Sequence, residues 1–173
     1  VLYEQVNVGG TLRLLEASRK FKVRKFVLAS SSSVYGARNT VPFRETDHPL
    51  LPVSPYAATK LAAEQLAYTY SHLYGLQVVC LRFFTVYGPR QRPDLAIRKF
   101  SEALLGGRPI TLFGNGGSAR DYTYVADTVQ GIVSALHYES SYEIFNLGNS
   151  SPVTLGELVK ALEEVLGVKA RLE

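Results

Sequence analysis

Apolar positions recur along this chain at two periods, and the alternation between them predicts an α/β architecture. Val8, Leu12 and Leu15 stand at the spacing of one buried helical face and predict a helix over 3–19. Lys25 to Ala29 is a short apolar run, as in strands buried on both faces of a parallel sheet. It leads into Ser30-Ser31-Ser32-Ser33-Val34-Tyr35-Gly36 and a loop holding Pro42, Pro49 and Pro52. Ser54-Pro55 opens a second helix, with Ser54 as N-cap and Pro55 in the first turn. Its stripe is Ala63, Ala67, Tyr70 and Tyr74, and Gly75 ends it. Gln77 to Phe83 predicts another buried strand.

After Gly88-Pro89 the pattern changes. Arg90 to Asp94 is a polar loop, 95–106 a helix, and Pro109 to Phe113 a short strand before Gly114-Asn115-Gly116-Gly117. Arg120 to Val125 alternates like a strand and leads into a helix near 126–138; Glu143 to Leu147 is a further strand. Thr154 and Glu157 have capping-box spacing, ahead of a helix whose face is Leu155, Leu158, Val159, Leu162 and Leu166. Helix, strand, helix, strand, with polar residues gathered where the strands end, is the pattern of a doubly wound parallel sheet. Such sheets bind ligands at the strands' carboxyl ends.

Composition narrows the class. Apolar residues make up 46% and charged residues 20%, as in ordinary globular domains. No stretch approaches the ~20 apolar residues of a membrane span, and no secretory signal opens the chain. The one cysteine, Cys80, lies within Val78-Val79-Cys80-Leu81 and reads as a small buried hydrophobe in a reducing, cytoplasmic compartment. His48, His72 and His137 lack ligand spacing, so no metal site is expected. The net charge of +4 is mild and suits a pyrophosphate ligand; no basic stripe interleaved with aromatics argues for nucleic acid. The sequence starts at Val1 and has no methionine, which reads as a piece of a longer chain.

Tyr56 and Lys60 are four apart at a helix start and share one face. A tyrosine ordinarily holds its proton to about pH 10, and a neighbouring ammonium favours the phenolate. Such a pair can move a proton on and off a sugar hydroxyl while hydride leaves the same carbon. Taken alone Tyr-x-x-x-Lys is a weak signal, because most such pairs on exposed helices do nothing. Here a serine cluster at the end of a buried strand precedes it, and one of those hydroxyls can share the substrate proton.

Five segments then stand in order along nearly the whole chain. They are Asn7-Val8-Gly9-Gly10-Thr11, Ser31-Ser32-Ser33-Val34-Tyr35-Gly36, Ser54-Pro55-Tyr56-Ala57-Ala58-Thr59-Lys60, Leu81 to Pro89 and Arg120-Asp121-Tyr122. Together they resemble the extended short-chain dehydrogenase/reductase family, in its NAD-dependent nucleotide-sugar epimerase/dehydratase branch.

The resemblance implies residues 1–88 as the C-terminal portion of an NAD-binding Rossmann domain. Residues 89–173 are then a mixed region, partly sugar-nucleotide-binding, with elements returning to the Rossmann sheet. It implies Ser31, Tyr56 and Lys60 as the catalytic set. Asn7, Ser31, Tyr56, Lys60, Phe83 and Phe84 would contact NAD. Ser32, Ser33, Tyr56, Thr85, Thr111, Phe113 and Arg120 would contact the nucleotide sugar, with Arg120 on the diphosphate. Three blander readings stay open: core packing for Phe83 and Phe84, a surface pair with Asp121 for Arg120, and a plain polar helix residue for Asn7. The family's Gly-rich cofactor motif is expected upstream of Val1. A homodimer through the helices at 3–19 and 56–74 is also implied.

Within the branch, enzymes that eliminate water carry Asp-Glu at the positions of Ser32 and Ser33, and decarboxylating ones keep the glutamate. Serines cannot supply a carboxyl acid, so the resemblance implies inversion at C4. The stretch from Arg82 to Ala96 is most similar to that of UDP-glucuronate 4-epimerases, and next to UDP-glucose or UDP-N-acetylglucosamine 4-epimerases. A nucleotide-sugar reductase, a dehydratase or a non-catalytic binding module are the alternatives. Ser31, Tyr56 and Lys60 together weigh against the last.

Overall fold

The computed structural model describes residues 2–38, 40–112 and 117–173. The strands are β1 (Lys25–Ser31), β2 (Gln77–Phe83), β3 (Thr85–Tyr87), β4 (Ala119–Tyr124), β5 (Tyr142–Leu147) and β6 (Pro152–Thr154). The α-helices are α1 (Thr11–Lys20), α2 (Pro55–Tyr74), α3 (Ala96–Leu105), α4 (Val125–His137) and α5 (Leu155–Leu166). They form two compact units, Val1–Phe84 with Ala126–Leu147 and Thr85–Val125 with Gly148–Glu173.

In the first unit β1, β2 and β5 make a parallel sheet with β2 in the centre. Side chains of a strand alternate between faces, and the two faces of β2 meet different helices. Val78 and Cys80 pack with Leu15, Leu28, Ala63, Ala67 and Tyr70 from β1, α1 and α2. Val79 and Leu81 pack with Ala135 of α4, joined by Val27, Ile132, Phe145 and Leu147. Helices on both faces explain why β2 is apolar from Val78 to Leu81. Ser54 caps α2, its hydroxyl accepting from the Ala57 N–H at 3.1 Å, and Gly75 ends the helix in the left-handed region at φ 66°.

The helix expected over 3–19 is two segments. Glu4–Gly10 is wound as a π-helix and continues into α1. Leu12 is accordingly 40% exposed, and the buried stripe is Thr11, Leu15 and Ser18 rather than Val8, Leu12 and Leu15. A π-turn holds more residues than an α-turn, so a 3.6-residue period projected forward from Val8 arrives on the wrong face.

In the second unit β4 pairs parallel with β3 and antiparallel with β6. α3 and α5 enclose a core of Phe100, Ala103, Leu104, Ile110, Leu158 and Val159. The capping box at Thr154 and Glu157 forms as expected. The strand expected over Pro109–Phe113 reduces, among the described residues, to one bridge between Ile110 and Leu172. Gly88, at φ 139°, has no room for a side chain, since a Cβ would sit 2.7 Å from a Val125 methyl.

Candidate active site

The start of α2 presents Tyr56 and Lys60 together. The Lys60 ammonium donates to the Ala29 carbonyl at 2.9 Å and lies 5.8 Å from the centre of the Tyr56 ring. Ala29 is in β1, two residues before Ser31, so this bond ties α2 to the strand end that carries the serines. Burial holds the Lys60 pKa below the ordinary lysine value. Tyr56 is half-buried, edge-on to Tyr3 with ring centres 5.6 Å apart.

Ser31 ends β1 and caps a 3-10 turn, Ser32–Tyr35. Its hydroxyl oxygen accepts from the Ser33 N–H at 3.2 Å and the Ser33 hydroxyl at 2.9 Å. Both bonds use its acceptor side, so its own proton is left to donate elsewhere. Ser32 and Ser33 are half-buried beside it. The turn is closed by Gly36 at φ 72°, where a Cβ would collide with the Leu51 carbonyl oxygen. Asn7, inside the π-helical segment, donates from Nδ2 to the Thr59 hydroxyl at 3.0 Å, and Thr59 donates to the Tyr56 carbonyl at 2.8 Å. It therefore braces the first turn of α2. Single π-turns often mark functional sites because they re-aim side chains in this way.

The remaining candidates divide. Phe83 packs beside Val79, Leu81 and Ala135, in accord with its core reading. Phe84 is half-buried, its ring 6.3 Å from that of Phe43. Thr85, Thr111 and Arg120 belong to the second unit. Thr85 is half-buried opposite Tyr122, and Thr111 is exposed. Phe113 lies outside the described residues. Arg120 is exposed, and Asp121 is engaged elsewhere: its carboxylate accepts from the Asn149 and Ser150 N–H groups, each at 2.8 Å. No ion pair joins Arg120 to Asp121 among the described residues, and Arg120 Nη1 donates to the Ala119 carbonyl at 3.1 Å.

One cluster was not read from the sequence. Glu64 on α2 and Arg82 on β2 are 0% and 1% exposed and meet in a forked ion pair, with Nε–Oε1 2.9 Å and Nη2–Oε2 2.8 Å. Ser30 donates to the same carboxylate. Arg82 Nη1 donates to the Tyr35 hydroxyl at 2.9 Å, and Tyr35 donates to Asn146 at 2.7 Å. Burial works against the guanidinium charge, but the bonds to Glu64 outweigh it and hold the Arg82 pKa above its ordinary value. The available signals were an arginine inside an apolar strand and a glutamate between Ala63 and Ala67 in an apolar stripe.

Known proteins resemble this chain in sequence and in fold. Residues 1–148 match the sequence model of the NAD dependent epimerase/dehydratase family. A UDP-glucuronate 4-epimerase of Thermodesulfobacterium geofontis is 45% identical over 99% of this chain and 53% of its own. The solved UDP-glucuronic acid 4-epimerase of Bacillus cereus, in complex with UDP-glucuronic acid and NAD, superposes with a TM-score of 0.91 at 37% identity. It covers 98% of this chain and 54% of its own. A UDP-N-acetylglucosamine 4-epimerase of Methanobrevibacter ruminantium superposes at 0.93 with 30% identity, covering 98% of this chain and 56% of its own. The chain spans about half the length of the relatives it matches.

Proposed function

We propose that this chain, which belongs to the NAD-dependent epimerase/dehydratase family, inverts C4 of a UDP-sugar of the UDP-glucuronate or UDP-glucose type through a transient 4-keto sugar. The observation that carries this reading is the Lys60 ammonium, fixed between the Ala29 carbonyl and the Tyr56 ring beside the Ser31 strand end. The relatives of similar sequence and fold that bear UDP-sugar epimerase names support it.

The residues fit NAD. Lys60 spends one ammonium hydrogen on Ala29 and keeps two for ribose hydroxyls. Asn7, Ser31, Tyr56, Phe83 and Phe84 are the other proposed contacts. When bound, NAD supplies the acceptor for the C4 hydride and returns it, so none is consumed.

Tyr56 removes the proton of the sugar 4-hydroxyl and gives it back after the keto sugar has turned over. Lys60 places a positive charge against the ring on which negative charge develops. Ser31 donates its free proton to the same oxygen, and Ser32 and Ser33 line the sugar. Arg120 holds the diphosphate by its forked donors, and Thr85, Thr111 and Phe113 complete the substrate contacts. A cytoplasmic location goes with a Cys80 thiol that is free and buried, its pKa pushed up to about 12 by burial. A homodimer goes with the apolar side chains left exposed near the two helices, among them Val6, Leu14 and Leu73.

The test uses the whole protein with UDP-glucuronate, UDP-glucose and UDP-N-acetylglucosamine, following C4 configuration by NMR beside Tyr56→Phe. Inversion of one sugar that vanishes in the variant is expected. No inversion of any of them by protein that holds NAD refutes the proposal.

A further inference from the structure

The sheet of the first unit changes character at one level. In its parallel register Leu28, Cys80 and Ile144 form an apolar rung facing α2. The next rung on that face, the last before the loops, is Ser30, Arg82 and Asn146. Every member is polar, and α2 covers it with Glu64, which is one helical turn beyond Lys60 and two beyond Tyr56.

Stability alone does not call for charges there. Two buried charges lose hydration, and an apolar pair of similar volume usually holds a fold as well or better. What the polar rung adds is direction, because forked hydrogen bonds accept one geometry where apolar packing tolerates several. Each bond also ends beside a residue of the proposed site. Ser30 precedes Ser31, Arg82 precedes Phe83, and Tyr35 closes the turn that begins at Ser32. Beyond Tyr35, Asn146 donates to the Phe43 carbonyl at 3.1 Å, and its own N–H is taken by Glu45 at 2.7 Å. The Phe43 ring stacks on Tyr35 at 4.7 Å.

We propose that Glu64 and Arg82 are positioning residues. With Ser30, Tyr35 and Asn146 they lock the Ser31–Ser33 turn against the helix that carries Tyr56 and Lys60, so that serine and tyrosine meet one substrate oxygen. The proposal rests on the epimerase reading above for its kinetic consequence, though not for its structural one.

The experiment replaces the pair in the whole protein by Glu64→Leu with Arg82→Met, and separately makes Tyr35→Phe, which removes one hydroxyl from the chain of bonds. Four quantities are read: melting temperature, NAD content, kcat against KM, and amide exchange at Ser33 and Gly36, whose N–H groups bond Ser31 Oγ and the Ser33 carbonyl. The double variant is expected to melt no lower than the parent and keep its NAD. Its kcat should fall about 10²-fold with KM within about threefold, and both amides should exchange about tenfold faster. Unchanged kcat and exchange in a folded double variant overturn the proposal and reduce the pair to core filling. If the double variant does not fold, Tyr35→Phe decides on the same readouts. Should the parent invert no sugar, the epimerase reading fails by itself. Faster exchange at Ser33 and Gly36 then still supports the positioning role, and unchanged exchange overturns it.

Discussion

The two units differ in what they bury. The first buries an arginine and a glutamate in its centre, bonded to a serine and a tyrosine, directly beneath the strand ends where the proposed chemistry lies. The second has an apolar core of leucine, isoleucine, valine, alanine and phenylalanine, and its ion pairs Arg92–Asp94 and Arg98–Glu102 lie at the surface. Apolar burial is non-directional and suffices to hold helices together. A constellation that must meet a substrate atom within a fraction of an ångström needs directional bonds. The contrast teaches that a buried ion pair in an otherwise apolar sheet is better read as a device for placement than for stability.

Mutations can break or sharpen this contrast, and their expected effects fall in a definite order. Tyr56→Phe in the whole protein should lower the rate of C4 inversion by about 10²–10⁴-fold while leaving the melting temperature almost unmoved, as NMR turnover and thermal denaturation would show. Glu64→Ala leaves the Arg82 charge buried and alone, and should cost about 3–5 kcal/mol in urea denaturation. Leu158→Ala, in the other core, should cost about 2–5 kcal/mol through the cavity it opens, with no change in the kcat-to-KM balance. Cutting the exposed pair by Arg98→Ala should cost less than about 1 kcal/mol in the same measurement. A cost comparable to that of Glu64→Ala would erase the distinction between the units.

The smallest effect depends on pH. Hydrogen bonds from the Thr154 backbone and hydroxyl hold the Glu157 carboxyl below its ordinary value of 4.5. The folded state thus binds this proton less readily than the unfolded one. The stability contributed by the charged Glu157 is complete above pH 4.5 and is lost as pH falls through the lowered folded value. Glu157→Ala should therefore destabilise the chain at neutral pH and differ less from the parent in acid, as thermal melts across that range would test.

Long elements were legible because their patterns repeat. α2 and α5 carry their own boundary signals, Ser54-Pro55 with Gly75 and Thr154 with Glu157, and β2 is apolar from Val78 to Leu81. β3 and β6, three residues each, were not, since so short a strand offers no alternation to count and exists only through its partner β4. A period of 3.6 cannot anticipate the π-turn at the start of the first helix, and so it places Leu12 on the buried face where the structure exposes it. Tyr56, Lys60 and Ser31 stood out as chemical types at telling places. Glu64 and Arg82 did not, although both lie inside segments correctly read as helix and strand.

By itself, then, the sequence determined what local chemistry controls: the caps, the long helices, the buried central strand, and a tyrosine and lysine on one helical face. Those follow from interactions within about one turn or one strand. Tertiary structure alone decided the rest. The Ser30, Arg82 and Asn146 rung joins residues 52 and 64 positions apart through strand register, and Glu64 reaches it only because α2 packs on that face. Likewise Asn7 meets Thr59 across 52 residues. Such pairings depend on sheet register and helix packing, which no local period encodes, and they are what turns a set of suitable side chains into a placed one.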